Sequence, residues 1–137
     1  MRRSERGSIT IWMLGLSLLI LVFGGLALDY WRALAQQREL ASIADSAAIA
    51  AASGIDETVY RASGAIVLDP QRSTSLANDA VAWQGVDLLS TTVDVTAGSV
   101  TVTLVGEVEL GLLGVFVDQS EPLTVRAQAT AIPVFLP

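Results

Sequence analysis

Residues 43–53 read Ile43-Ala44-Asp45-Ser46-Ala47-Ala48-Ile49-Ala50-Ala51-Ala52-Ser53. Six alanines with no Gly or Pro make this a strong helix former. Such a helix has too little side-chain volume to fill a core alone. Its smooth surface instead lets another backbone come close, so it reads as a packing face for a small sheet or another subunit. Ala44, Asp45, Ala47, Ala48 and Ala51 are the candidate partner-packing residues. Asp45 is the odd member. It either faces water or accepts a hydrogen bond from whatever lies against the helix.

Upstream, Asp29 to Ser53 contains no Gly or Pro, and Ile9 to Leu28 is a twenty-residue run without charge. Twenty helical residues span about 30 Å, the thickness of a bilayer's hydrocarbon core. The reading is one continuous helix from about Ser8 to Ser53, rooted in a membrane by its first half. Arg2, Arg3 and Arg6 hold residues 1–8 in the cytoplasm by the positive-inside rule, and Tyr30 and Trp31 mark the outer interface. The expected organisation is therefore a cytoplasmic tail (1–8), a transmembrane helix (9–28), its extramembrane continuation (29–53) and an exocytoplasmic domain (54–137). Along the continuation, Trp31, Leu34, Ala41, Ala44, Ala48 and Ala51 or Ala52 fall near one stripe, with Arg32, Gln36, Gln37 and Glu39 on a wet face. Asp29 and Arg32 stand three apart at the outer membrane edge. They either register this helix against a neighbour or form a solvated pair worth a few tenths of a kcal/mol.

The chain of 137 residues is 52% hydrophobic, with a mean hydropathy of +0.55, and its apolar excess is concentrated in the one run. Beyond residue 8 it carries five Arg and thirteen acids, a balance of −8, and no lysine anywhere. Such a region repels phosphates, which argues against nucleic-acid binding. With neither histidine nor cysteine, Ser-His, Cys-His, His-metal and thiolate-metal chemistry are excluded. Asp69, Asp79, Asp87 and Asp94 are scattered. Glu107 and Glu109 share one side of a strand, where two carboxylates are too few to specify a cation site and suit the protection of an exposed strand edge. No catalytic, cofactor or metal residue is assigned, and no small-molecule substrate is expected.

After Gly54, a fair helix terminator, Asp56 to Gly64 suggests a short helical turn and a loop. Asp69-Pro70 then offers an N-cap and a first-turn proline for a second helix over about Pro70 to Gln84, ended by Gly85. Leu76, Ala77, Ala80, Val81 and Trp83 supply its apolar side. The period then switches to two. Thr91–Thr96 and Val100–Val105 alternate around Ala97-Gly98-Ser99, where Gly98 is available for positive φ, and a β-hairpin is expected. Leu123 to Ile132 reads as a third strand with Leu123, Val125, Ala127, Ala129 and Ala131 on one face. Gly111 to Val117 is an apolar stretch too short to span a membrane, either a buried connector or a partner surface. Three strands with one apolar face need a cover, and the alanine-rich helix and the Pro70–Gln84 helix are available. The expected fold class is α+β: a long N-terminal helix on a small antiparallel sheet, with a second helix.

Arg6-Gly7-Ser8, the apolar span, Leu26-Ala27-Leu28-Asp29-Tyr30-Trp31-Arg32 and Ala44-Asp45-Ser46-Ala47-Ala48-Ile49-Ala50-Ala51-Ala52 together resemble the TadE/TadG-type proteins of Tad/Flp (type IVb) pilus assembly. The resemblance covers roughly residues 6–53. It implies a pilin-like, single-spanning accessory protein of the bacterial inner membrane, its bulk exocytoplasmic, associating laterally with other pilus or secretion subunits. Two departures from processed pilins stand out: Trp12 occupies the place of the glutamate expected five residues after Gly7, and the span has no GxxxG pair. Both favour a permanently anchored, TadG-like component. The alternative is a non-enzymatic secreted or surface-bound binding module, released by signal-peptide cleavage at Ala33-Leu34-Ala35. Against it stand the length of the apolar run and the bulky, charged Asp29 to Arg32 before that site.

Overall fold

The computed structural model describes residues 5–109, 111 and 122–134, with side chains from residue 9 onward. A single helix, α1 (Glu5–Ala52), runs through the apolar span and the alanine stretch without a break. This is the expected consequence of a segment whose glycines are confined to Gly7 in the first turn and Gly15, Gly24 and Gly25 within the apolar run. A short helix α2 (Glu57–Ser63) follows, capped by Asp56 at its start and closed by Gly64 at φ 71°. Helix α3 (Pro70–Trp83) begins as its sequence signals require: the Asp69 carboxylate accepts from the N–H groups of Gln71 and Arg72, with Pro70 at the first position. Gly85, at φ 62°, turns the chain out of α3.

Strands β1 (Ser90–Val95), β2 (Val100–Val108) and β3 (Leu123–Ala131) form an antiparallel sheet in the order β1-β2-β3. The register pairs Val93 with Val102, Val102 with Ala129, and Leu104 with Ala127. Pairing therefore puts Val93, Val95, Val100, Val102, Leu104, Val108, Val125 and Ala127 on one face. Helix α1 lies against β2 and β3, and α3 lies against α1 and β1 on that same face. The opposite face carries Thr92, Asp94, Thr101, Thr103, Thr124, Arg126, Gln128 and Thr130, including a cross-strand hydroxyl contact of 2.9 Å between Thr101 and Thr130. The α+β architecture read from the sequence is present, with α2 as a further helix.

The turn between β1 and β2 differs from expectation in mechanism. Gly98 does not take positive φ. The Thr96 side chain closes the turn instead, its Oγ1 accepting from the Ser99 N–H at 3.0 Å, while the Thr96 N–H donates to the Ser99 carbonyl at 2.9 Å. Gly54 also differs. Its φ is not positive, and its lack of a side chain serves an approach: a Cβ there would lie 2.5 Å from Ser73 Oγ and 2.8 Å from Ser73 N. Ser73 is fully buried, bonded through Oγ to the Gly54 carbonyl at 3.3 Å, and the Asp69 N–H donates to the same carbonyl at 2.8 Å. The start of α3 is thus clamped onto the end of α1 at one bare backbone position.

The core has two parts. Ile43, Ala44, Ala47, Ala48 and Ala51 pack with Leu68, Ala77, Val100, Val102 and Leu104; closer to the apolar span, Leu40 packs with Val108, Val125 and Ala127. The buried stripe of α1 is therefore rotated from the expected one. Leu40, Ile43 and Ala47 are inside, whereas Trp31 is 57% exposed and Ala41 is exposed. Burying Leu40 and Ile43 yields more than burying Ala41, at about 0.8 kcal/mol per CH₂ removed from water, so the sheet settles over them. Trp83, expected on the apolar side of α3, is 90% exposed, because the buried Ser73 and Ala77 turn the helix's inner face away from it.

Candidate functional site: the long helix and its outer boundary

The first twenty residues of the membrane-length segment have the surface of a lipid-facing helix. Ile9, Ile11, Leu14, Leu18, Ile20, Leu21 and Phe23 are each at least 60% exposed, and only 6% of the most apolar eighteen-residue window is buried. A core helix of a soluble domain would be covered. This one is exposed along its apolar run except at Val22 and Gly25, and it is long and apolar enough to cross a membrane once.

Immediately after that run comes Asp29, whose side chain is only 1% exposed. Its Oδ1 accepts from the Gly111 N–H at 3.1 Å and lies 3.6 Å from Arg32 Nη1. The Arg32 side chain is 65% exposed, so the cation stays wet while the carboxylate is taken out of water. Burying an acid is costly unless hydrogen bonds and a countercharge compensate, and both are present here. Gly111 is required by the geometry: a Cβ at that position would meet Arg32 Nη1 at 2.7 Å and Asp29 Oδ1 at 3.0 Å. Asp29 and Arg32, expected either to register the helix against a neighbour or to form a solvated pair, lie together on one face, and Asp29 is buried rather than solvated. Sequence reasoning missed Gly111 because it was read as the first residue of an apolar stretch. Leu112 to Val117, the remainder of that stretch, lie outside the described residues.

Of the candidate packing residues, Ala44, Ala47, Ala48 and Ala51 are fully buried, covered by α3 and by the sheet of the same chain. Asp45 lies on the exposed side of α1 with Ile49, which is 62% exposed. The alanine face therefore has an intramolecular occupant, and the outward side of α1 stays exposed.

A cleft separates α1 from the sheet edge nearest the apolar span, lined by Arg32, Gln36, Glu39, Asp87, Glu107 and Glu109 among others. Gln36, expected on the wet face, is half-buried and donates from Nε2 to the Glu107 carbonyl at 2.9 Å. It supplies the donor that β1 cannot, because β1 ends at Ser90 opposite Val105 and leaves residues 106–108 of β2 without a neighbour on that side. Glu107 therefore sits on the central strand at a locally open edge, a more restricted place than an edge strand. Among the described residues no group of three or more acids is placed to hold a metal ion. Asp69 is consumed as the α3 cap, and Asp79, Asp87 and Asp94 are exposed.

Two acids have displaced titrations. Asp56 is held below the usual carboxylate range by the Thr58 hydroxyl and then by the Val59 and Thr58 N–H groups at the start of α2. Glu57 is lowered by its hydrogen bond to Arg72 at 3.0 Å, by that arginine's charge, and by Arg61 at 3.1 Å. Both belong to the distal end of the domain: Asp56 caps α2, and Glu57 ties α2 to α3 through Arg72.

No curated protein and no solved structure matches the chain. A family model does, over residues 7–54: Tad, the Flp pilus-assembly TadE/G-like family. The match begins two residues inside α1 and ends at Gly54, where α3 is clamped to the helix end. It therefore coincides with one structural element, the bare apolar half and the alanine-faced half together. Over that element, 48 of the 137 residues, the chain is similar to the TadE/G-like Flp pilus-assembly family.

Proposed function

We propose that this chain is a membrane-anchored, pilin-like structural or accessory subunit of a Tad/Flp-type pilus or related secretion apparatus, without catalytic activity. The observation that carries this reading is the coincidence of the family match, residues 7–54, with a helix that is apolar and largely uncovered at one end and the spine of a folded domain at the other. In this proposal residues 1–8 are cytoplasmic, 9–28 cross the bacterial inner membrane, 29–53 continue outward, and 54–137 form the exocytoplasmic domain. The arginines of the tail and the acidic balance beyond residue 8 support that orientation. Lateral association with other pilus or secretion subunits is the mode of action, through surfaces of α1 that its own domain leaves bare.

The test is made in the producing cells. An epitope-tagged chain is expected in the inner-membrane fraction with an intact N-terminus, its domain digested by protease added to spheroplasts. It is also expected to co-purify with other subunits of the apparatus. A mature protein beginning near Gln36 and free of membrane, or a deletion strain with undiminished pilus and secretion output, overturns the reading.

A further inference from the structure

The side of α1 turned away from the sheet carries two charges that the chain does not use. Arg38 and Asp45 are both exposed, and among the described residues neither is held by an ion pair or a side-chain hydrogen bond. They are seven residues apart, two turns less about 20°, so they lie almost in line along the helix. Trp31, 57% exposed, lies one heptad below Arg38, and Gly24, with open space where a Cβ would be, one heptad below Trp31. The column therefore reads Gly24, Trp31, Arg38, Asp45: a gap, a large aromatic, a cation and an anion at equal steps.

Two membrane-rooted copies of this chain run parallel. Set side by side at equal depth with these columns facing, they place Arg38 against Arg38, Asp45 against Asp45 and Trp31 against Trp31. Like charges at that spacing repel. A shift of seven residues, about 10.5 Å along the axis, exchanges every conflict for a match. Arg38 of the outer copy then meets Asp45 of the inner one, Trp31 of the outer copy lies at Arg38 of the inner one, and Gly24 of the outer copy receives Trp31. Ion pairing, cation–π contact and close packing follow from one translation.

We infer that the exposed face of α1 docks a second copy of this chain in parallel and two helical turns out of register, through Arg38 and Asp45. The inference rests on the lateral-association reading above and specifies its surface and geometry. A shift of that size is about a third of the bilayer's apolar thickness, and copies held at one depth oppose it because it draws polar flanks into hydrocarbon. The contact therefore belongs to a stepped array whose members stand at successive heights. It is heterologous, leaving one free face at each end.

The chain has no cysteine, which allows a direct test with both charges intact. Full-length copies carrying Ala35→Cys and Ser42→Cys, on separate tags, are co-expressed in cells assembling the apparatus and oxidised. The 35-to-42 disulfide is expected to exceed the 35-to-35 and 42-to-42 products. Arg38→Asp or Asp45→Arg alone is expected to lower it about two- to fivefold, the range of an exposed ion pair. Both substitutions in the same chain are expected to restore it. Retention of the native protease-digestion pattern shows that each variant is folded. Dominant 35-to-35 and 42-to-42 products, or reversals without effect, overturn the stagger. Loss of all three products while other subunits still co-purify overturns self-docking and leaves the proposed function standing. Loss of co-purification in the unaltered chain is a failure of the proposed function itself.

Discussion

The Asp29 carboxylate and the Gly111 amide, 82 residues apart in sequence, meet at 3.1 Å just beyond the apolar run of α1. The contact ties the chain leaving β2 to the helix at the place where its apolar run ends. It couples the height of the domain to the height of the helix.

Replacing Asp29 by Ala leaves the Gly111 N–H without its charged acceptor. The expected cost is about 1–3 kcal/mol. Thermal unfolding of the full chain in detergent reads the loss, and hydrogen exchange is expected to accelerate at the Gly111 amide while Leu104 and Val102 stay protected. Unchanged exchange at Gly111 would remove Asp29 from this role. Gly111→Ala, which drives a Cβ into Asp29 and Arg32, is expected to reproduce the local opening.

Gly54→Ala and Gly106→Ala are chemically identical changes with different expected outcomes. At position 54 the new methyl meets backbone atoms of Ser73, and at 106 it meets Leu40 Cδ1 at 3.1 Å, the movable end of a side chain. The first is expected to cost about 1–3 kcal/mol and the second less than about 1.5 kcal/mol. Adding Ser73→Ala is not expected to rescue the first, because Ser73 N and Cα remain in the way. Midpoints of denaturant unfolding compare the two; equal losses would contradict the clamp.

Ala47 is fully buried beneath the sheet, while Ile49, two residues on, is 62% exposed. Ala47→Leu is expected to cost about 1–3 kcal/mol through overpacking. Ile49→Ser is expected to stay within about 0.5 kcal/mol of the original stability. The reverse ranking would mean that α1 meets the sheet by another face.

Acid is expected to loosen the distal end of the domain. Asp56 and Glu57 both have folded pKa values below their unfolded ones, so the unfolded chain binds more protons as pH falls. Their contribution is present above the ordinary carboxylate range and is lost as pH drops through the depressed folded values. Asp56→Asn and Glu57→Gln are each expected to flatten the fall of Tm between about pH 5 and pH 3. High salt is expected to remove mainly the Glu57 part, which rests on arginine charges. Wild-type slopes in both variants would contradict the linkage.

Much of this molecule was legible in its sequence because the relevant signals are local. An unbroken apolar run followed by alanine, leucine and glutamine makes a continuous helix whatever surrounds it. Asp69-Pro70 begins α3 through its own side chain and ring, and the alternation of valine and threonine over residues 91–105 makes a hairpin with one apolar face. The membrane-length segment and the family resemblance both lie within α1, where residue spacing alone carries the pattern.

What only the tertiary structure decided are matters of distance between segments far apart in the chain. The sheet chose Leu40, Ile43 and Ala47 over Trp31 and Ala41 because helix rotation is set by the volume available opposite it, not by spacing along the helix. Gly54 and Gly111 are glycines for the sake of Ser73, and of Asp29 with Arg32, partners no local signal announces. Asp29 is buried because a backbone amide from beyond β2 compensates it, and Asp45 is exposed because the sheet already occupies the alanine face. The sequence by itself determined which segments are helix, strand and membrane-length span, since those depend on neighbours within a few residues. The fold alone decided which side of α1 is spent on its own domain and which stays exposed, because burial depends on what the rest of the chain brings to that side.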